Sequence, residues 1–480
     1  MTTRRNFLKS GALALGGLMF SPKSIIAQVT DKTDYKSLRP ELANRAFSSV
    51  AVEKKIAEMK QTIKDPKLAW MFENCFPNTL DTTVKYKLEN GRPNTFVITG
   101  DIDAMWLRDS SAQVWPYLPL MKNDASLQQM VKGLLNRQFE CIIFDPYANA
   151  FNDGPTGSYW ETDMTDMKKE LHERKWEIDS LCYPIRLSYY YWKETGDSSI
   201  FDATWEKAMS LVIRTFQEQQ RKDGLGPYSF MRETENQGDT LLNKGWGSPV
   251  NPVGLIFSAF RPSDDATMFG FLIPSNMFAV VSMKQLIEII DATGKAKELK
   301  APAAKLLKEV DKAIRKHAII THPEYGSIYA FEIDGFGGRN LMDDANIPSL
   351  LSIPYLGYCG PEDPVYKNTR RFIWSKSNPY FFSGAAGEGI GGPHIGINFV
   401  WPMSIIMKGL TSTDKDEMRA CLTQLVNTDG DTGFMHESFH KDDPKNFTRK
   451  WFAWVNTLFG EFVLKVNTEY PDLLKEQYAK

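Results

Sequence analysis

The chain has few cysteines, no long apolar run and almost no excess charge, and each shortage excludes a class of protein. Its five cysteines lie far apart and form no Cys-x-x-Cys pair, which argues against a disulfide framework and a zinc knuckle. Lys and Arg number 57 against 59 Asp and Glu, without a basic patch, so nucleic acid is not an expected partner. The composition, 42% hydrophobic over 480 residues, is that of a globular protein.

The first thirty residues have the pattern of a targeting segment. Arg4 and Arg5 precede an apolar run from Gly11 to Phe20 and then small residues that end at Ala27. This order is typical of an export signal, and the paired arginines resemble a twin-arginine signal of bacteria. The run is too short to span a bilayer. We therefore predict an export signal over residues 1–30 and an exported, periplasmic protein with no membrane insertion after its removal.

The rest of the chain shows mainly helical spacing of apolar residues. Residues 178–195 and 274–292 have this pattern, and shorter helices are predicted over 347–352 and from Ser111 onward. Asn90-Gly91 between two alternating segments predicts one β-hairpin near the N-terminal side. No linker divides residues 31–480, so we predict a single, mostly α-helical domain. A closed ring of helical hairpins, an α/α barrel, fits this order, although periodicity alone indicates only a mostly helical chain.

The stretch GDIDAMWLRDSS (100–111) combines unusual chemistry with a junction between the hairpin and a helix. It contains Asp101, Asp103 and Asp109 together with Trp106 and Arg108. Loops that carry such residues on a rigid scaffold are commonly binding loops, so we interpret the stretch as the floor of a sugar pocket. The simpler alternative makes the tryptophan a core residue and Asp109 a helix cap.

A second acidic stretch is FRPSDDATMFG (260–270), in which Asp264 and Asp265 follow Arg261 and Ser263. One of these residues could serve only as a helix cap. The alternative is that one carboxyl is a catalytic acid whose pKa is set by burial among aromatic residues.

A third stretch, TGFMHESFHKDDP (432–444), contains His436, Glu437 and His440 in the H-E-x-x-H pattern of zinc peptidases. That chemistry needs both histidines on one face of a helix, and the flanking glycines and proline leave little room for one. We therefore favour a loop that presents Glu437.

The segment 384–394 is rich in glycine. It is either a flexible rim of the site or a place where the backbone approaches a ligand closely, with Glu388 or His394 in contact with that ligand.

Four of these motifs together resemble one known family of enzymes. The strings GDIDAMWLRDSSAQVWPYL, FRPSDDA, GGPHIG and HESF are similar to those of glycoside hydrolase family 125, the exo-acting α-1,6-mannosidases. The resemblance covers the chain after the signal. It implies an (α/α)6 barrel, removal of terminal α-1,6-linked mannose with inversion, and no catalytic metal or other cofactor. The implied partners are α-1,6-linked mannoside glycans.

The resemblance also implies roles for particular residues. The general acid maps to Asp264, with Asp265 as the alternative, and the general base maps to Glu437. An inverting glycosidase separates these two carboxyls by about 6.5–9.5 Å to admit a water molecule. The candidate sugar-binding residues are Trp106, Arg108, Asp109, Asp103, Arg261, His394 and His436. Two other classes stay open from the sequence: a non-catalytic glycan-binding barrel and a zinc metallopeptidase using His436, Glu437 and His440.

Overall fold

Helices account for most of the regular structure in the computed structural model, which describes residues 35–479. The predicted export signal lies outside the described residues. In the described part the model has fifteen α-helices: α1 (Val50–Thr62), α2 (Pro66–Cys75), α3 (Asn78–Thr82), α4 (Leu107–Val114), α5 (Ala125–Phe144), α6 (Ile178–Thr195), α7 (Ala203–Gln219), α8 (Leu242–Gly245), α9 (Ile273–Thr293), α10 (Lys300–Ala313), α11 (Ile353–Leu356), α12 (Pro364–Ile373), α13 (Pro402–Leu410), α14 (Lys415–Val426) and α15 (Ala453–Glu469). Of these described helices, none combines the length and apolar character needed to cross a membrane.

The strands are short and antiparallel and form small sheets between the helices. The pairings are β1–β2, β3–β4–β5, β6–β9–β10, β7–β8, β11–β12 and β13–β14–β15. Their bounds are β1 (Val84–Glu89), β2 (Arg92–Val97), β3 (Met105–Trp106), β4 (Ala150–Phe151), β5 (Leu171–Glu173), β6 (Phe271–Leu272), β7 (Ile319–His322), β8 (Gly326–Tyr329), β9 (Glu332–Ile333), β10 (Arg339–Asn340), β11 (Phe381–Ser383), β12 (Glu388–Ile390), β13 (Phe399–Val400), β14 (Ser438–His440) and β15 (Asp443–Thr448).

The hairpin predicted from the sequence is the β1–β2 pair. Asn90 and Gly91 both have positive φ, 52° and 78°, as a tight two-residue hairpin turn requires. The other sheets were not predicted, because all their strands except the six-residue β15 have only two to four residues, too few to show a clear alternating pattern.

Two details of the helix prediction were wrong. Residues 347–352 do not form a helix, because the Asp343 carboxylate accepts the backbone N–H groups of Leu350 and Leu351 and holds a turn there. In addition, the helix predicted from Ser111 onward already begins at Leu107 as α4, so Asp109, the cap in the alternative interpretation, lies inside the helix. The prediction of α6 over residues 178–195 matches the structure, and that helix ends at left-handed Gly196.

The long helices pack in a sequence that surrounds a common core. Helix α4 contacts α15 and α6, α6 contacts α9, and α15 contacts α13. Aromatic side chains fill the centre: Tyr183 of α6 lies edge-on to Phe278 of α9 at 5.0 Å and to Trp454 of α15 at 6.3 Å between ring centroids. These helices therefore share one hydrophobic interior.

Three of the packed helices begin at the same place. The residues that precede α4, α13 and α15 are Trp106, Trp401 and Phe452, and all three line one pocket. Gly100 links the 100–111 stretch to this end of the helices, because it forms an antiparallel β-bridge with Phe452. Its φ is 130°, and a Cβ at this position would lie 2.7 Å from the Trp451 carbonyl oxygen, so the close approach requires glycine. The 100–111 stretch is thus fixed to the start of α15.

Candidate active site

A single pocket lies at these three helix starts. Charged residues and tryptophans dominate its wall. The lining residues are Thr99, Ile102, Trp106, Arg108, Asp109, Pro262, Ser263, Asp264, Asn346, His394, Trp401, Glu437, Arg449, Phe452 and Trp454. The structure therefore brings the 100–111, 260–270, glycine-rich and 432–444 stretches to one site.

The guanidinium of Arg108 lies in the middle of a cluster of carboxyl groups at the pocket. Its guanidinium Nη1 donates to Glu177 at 2.5 Å and to Asp179 at 3.1 Å, and Nη2 donates to Asp264 at 3.4 Å. Asp109 approaches the same guanidinium at 3.5 Å. Burial raises the pKa of Asp109 to about 6, although the charge of Arg108 opposes the shift.

The two adjacent aspartates face different places. Asp264 lines the pocket, and its Oδ1 accepts from Arg108 and from Asn149 at 3.2 Å. Asp265 instead lines a neighbouring groove and accepts from Ser263 at 2.8 Å. Asp264 has a φ of 66°, in the left-handed region, and this backbone turn separates the two carboxyl groups. Asp264 is thus the member of the pair that faces the pocket.

Glu437 is far from Asp264 in the sequence and lies directly before β14. Its Oε2 accepts from the Thr448 hydroxyl at 3.0 Å, and its Oε1 accepts from Arg449 Nη1 at 3.4 Å. Arg449 also binds both carboxylate oxygens of Asp101 through Nε, at 3.1 and 3.2 Å. Glu437 is therefore held by two donors while it lines the pocket.

His394, from the glycine-rich segment, adds a positive charge to the pocket wall. Burial lowers its pKa, but the hydrogen bond and charge of Asp265, 3.6 Å away, outweigh burial and raise the pKa to about 9. The ring is therefore protonated at neutral pH. Glu388, the other candidate of this segment, instead accepts from the Trp374 indole at 3.2 Å and does not line the pocket.

Three candidate sugar-binding residues lie away from this pocket. Asp103 is exposed and pairs with Lys85 at 2.7 Å. Arg261 is buried against Glu332 at 2.6 Å and faces the neighbouring groove. His436 is buried and stacks on Phe447, with 3.6 Å between ring centroids.

The H-E-x-x-H segment does not have the geometry of a zinc peptidase. Its last residues form strand β14, and the helix that the chemistry requires is absent from the described segment 432–448. His436 contacts Thr432 and Phe447, whereas His440 accepts from the Asp442 backbone and lies against Phe399. Throughout residues 35–479, no group of three or more His, Cys, Asp or Glu side chains is placed to hold a metal ion.

Several pocket residues were missed in the sequence. These are Trp401, Phe452 and Trp454, at the starts of α13 and α15, and Arg449, directly after β15; none of them follows a recognisable motif. Within the described residues, the buried indole N–H groups of Trp106 and Trp401 have no protein acceptor. Both therefore remain as donors for hydroxyl groups of a ligand.

Two carboxyls on a tryptophan-lined pocket, with unpaired indole donors and a buried arginine, suit the hydrolysis of a glycoside. The family model of the metal-independent α-mannosidases, GH125, matches residues 65–464. The chain therefore belongs to glycoside hydrolase family 125.

Known relatives agree with this assignment. The meiotically up-regulated gene 157 protein of Schizosaccharomyces pombe is 42% identical over 91% of this chain and 90% of its own. A Streptococcus pneumoniae metal-independent α-mannosidase, solved as a non-productive complex with α-1,6-mannobiose, is 45% identical. It superposes with a TM-score of 0.84 over 88% of this chain and 99% of the other. The predicted mostly helical (α/α)6 barrel is thereby confirmed.

A more distant match shows only the fold. A bacterial glucoamylase in complex with acarbose is 12% identical and covers 78% of this chain and 51% of its own, with a TM-score of 0.52.

Proposed function

We propose that the protein is an inverting, exo-acting α-1,6-mannosidase with Asp264 as general acid and Glu437 as general base. The observation that carries the proposal is that these two carboxyls, from stretches far apart in the chain, line the same pocket. Membership of the α-mannosidase family supports the sugar, and the mannobiose complex of the Streptococcus pneumoniae relative supports the linkage.

In the proposed mechanism, Asp264 gives a proton to the glycosidic oxygen as the bond to the anomeric carbon breaks. Glu437 takes a proton from a water molecule, whose oxygen attacks the opposite face of the sugar. The two donors on Glu437, from Thr448 and Arg449, keep it oriented as an acceptor. The water therefore meets a carboxylate of fixed direction at the moment of attack.

The pocket wall favours a terminal sugar. Trp106, Trp401 and Trp454 are nearly buried and close the pocket on the side of the helices. Their indole faces suit a sugar ring, and the unpaired N–H groups of Trp106 and Trp401 suit its hydroxyls. Arg108 and Asp109 line the same pocket and can hold adjacent hydroxyls. A pocket closed in this way accepts a chain end and not the middle of a glycan.

The deciding experiment is incubation with α-1,6-mannobiose and with its α-1,2 and α-1,3 isomers, followed by NMR. We expect release of β-mannose first, from the α-1,6 isomer in preference to the others. Release of α-mannose would contradict inversion, and equal rates on all three isomers would contradict the linkage.

The same assay separates the two alternative classes. A non-catalytic glycan-binding barrel would bind the mannobiose without releasing mannose. A zinc peptidase would bind one equivalent of zinc and lose its activity to a chelator, whereas we expect dialysis against EDTA to leave mannose release unchanged.

We propose in addition that the protein is exported to the periplasm. The support is the arrangement of Arg4, Arg5 and the apolar run that follows them. Fractionation of the native host, with N-terminal sequencing of the mature chain, tests it; a cytoplasmic protein that retains residues 1–27 would contradict it.

A further inference from the structure

Glu177 is a carboxyl beneath the pocket that the mechanism above does not use. It directly precedes α6 and is fully buried. Its Oε2 accepts from Arg108 at 2.5 Å and from the Ser180 hydroxyl at 2.9 Å. Within the described residues, no N–H or O–H donor reaches its other oxygen, Oε1, which is also buried. A buried carboxylate oxygen without a donor is costly unless it carries a proton.

The charges around Arg108 also indicate that a carboxyl group in this cluster keeps its proton. Four carboxyls, those of Asp109, Glu177, Asp179 and Asp264, approach this one guanidinium within 3.5 Å. The charges of Lys175 and His394 also act on Asp264, and the charge of Asp264 acts in turn on His172. Lys175 is itself shared with Glu173 and Asp239. Carboxyls crowded in this way cannot all ionise, so the cluster retains a proton.

The proton is retained where Glu177 meets Asp264. The two carboxyl groups are in hydrogen-bond contact, and both hold Arg108. Burial raises the pKa of Glu177 well above its usual value, and the charge of Asp264 adds to the shift. Burial also acts on Asp264, but Arg108 and Lys175 outweigh it and lower the pKa of Asp264. The resting proton therefore belongs to Glu177, although Asp264 is the carboxyl that faces the pocket.

We propose that Glu177 is a positioning residue that stores the proton which Asp264 delivers to the glycosidic oxygen. The inference rests on the proposed role of Asp264 as general acid. It resolves a conflict within that role, because a carboxyl held ionised by Arg108 and Lys175 has no proton of its own to give.

The transfer is balanced in protons and electrons. As the bond between the anomeric carbon and the glycosidic oxygen breaks, its electron pair stays on that oxygen. Glu177 passes its proton to the ionised Asp264, and Asp264 gives one proton to the glycosidic oxygen, so that Asp264 ends as the carboxylate it was at the start. Glu177 becomes a carboxylate opposite Arg108, which already contacts it at 2.5 Å. Glu437 holds the proton taken from water, and the solvent returns both groups to their starting states after product leaves.

The test uses Glu177→Gln and two substrates that differ in their need for an acid. The amide keeps the size of the side chain and its contacts with Arg108 and Ser180, but it has no proton to transfer. We expect kcat on α-1,6-mannobiose to fall about 10- to 100-fold, part of the 10²–10⁴-fold that a general acid supplies. Fluoride leaves without full protonation, so kcat on α-mannosyl fluoride should change less than about threefold.

A pH profile gives a second reading that a structural role would not produce. In the wild-type enzyme the pair holds its proton to high pH, because the pKa of Glu177 is raised. In Glu177→Gln, Asp264 must hold the proton alone, with a lowered pKa. The alkaline limb of kcat/KM for mannobiose should therefore move to lower pH. An unmoved limb would overturn the inference.

Asp179→Asn is the matched control. Asp179 is equally buried and also binds Arg108, at 3.1 Å, but Asp264 acts on it through charge. We expect it to change the rates on mannobiose and on the fluoride by the same factor. Equal losses on both substrates in Glu177→Gln would show that Glu177 only supports the structure, and would overturn the inference.

Asp264→Asn separates this inference from the proposed function. If Asp264→Asn hydrolyses mannobiose normally, the general-acid assignment fails and the inference fails with it. If Asp264→Asn loses mannobiose but keeps the fluoride, while Glu177→Gln keeps both, the assignment stands and only the proton store is refuted.

Discussion

The proposed general base can be tested by a substitution that barely changes the structure. Glu437→Gln keeps the side-chain length and one carbonyl oxygen, which can still accept from Thr448 or Arg449. At most one hydrogen bond is lost, and Arg449 retains Asp101. The free energy of unfolding should therefore fall by only about 1 kcal/mol.

The expected loss of activity is much larger than this loss of stability. A general base contributes about 10²–10⁴-fold, or roughly 3–5 kcal/mol of the activation free energy. Because water must be deprotonated whatever the leaving group is, kcat should fall by this factor on both α-1,6-mannobiose and α-mannosyl fluoride. This pattern differs from the one expected for the acid, which affects mannobiose alone.

The assay combines initial rates with an external nucleophile. Azide is already an anion and needs no base, so it should restore turnover of the fluoride in Glu437→Gln and yield β-mannosyl azide, visible by NMR. Glu388→Gln is the matched control, since Glu388 pairs with Trp374 outside the pocket. A Glu437→Gln enzyme that keeps more than about a tenth of wild-type kcat would refute the assignment, because a base supplies at least about 100-fold.

Three further predictions follow from the same geometry. Asp264→Asn should lower kcat on mannobiose by about 10²–10⁴-fold and Asp265→Asn by less than about tenfold, measured side by side, because only Asp264 faces the pocket. Arg108→Leu leaves buried carboxylates without a counter-charge and should cost about 3–5 kcal/mol in urea unfolding; a loss below about 1 kcal/mol would contradict this. Burial raises the pKa of Glu461 to about 7, so the native state holds a proton that the unfolded chain loses near pH 4.5. The wild type should therefore lose stability between about pH 4.5 and 7, and Glu461→Gln should gain about 1–2 kcal/mol relative to it at pH 8 but not at pH 4, by thermal unfolding at each pH.

Much of the fold follows from local patterns in the sequence. The apolar spacing of α6 and α9 and the Asn90-Gly91 turn are local signals, and the corresponding predictions are confirmed. The failures are also physical. Residues 347–352 have a helical pattern, but the Asp343 carboxylate takes up the N–H groups that a helix would use. A side chain several residues away thus overrode the local preference.

The site was predictable only where a motif carries it. The chemistry of Asp264 and Glu437 is visible in their acidic stretches, and their roles stay predictions that the variants above test. By contrast, Asp103 was singled out in the sequence but is exposed and paired with Lys85. Trp401 has no motif around it, although it lines the pocket. Residue type alone does not tell which way a side chain points.

What the sequence determined by itself is the class of chain: mostly helical, with acidic and tryptophan-bearing loops that resemble one glycosidase family. What only the tertiary structure decided is which carboxyls meet. Asp264 and Asp265 are neighbours in sequence, and a left-handed backbone at Asp264 sends them to different pockets. Glu177, far from both in sequence, joins Asp264 through Arg108. Charge interactions depend on distance in space, so the state of each proton is set by the folded chain.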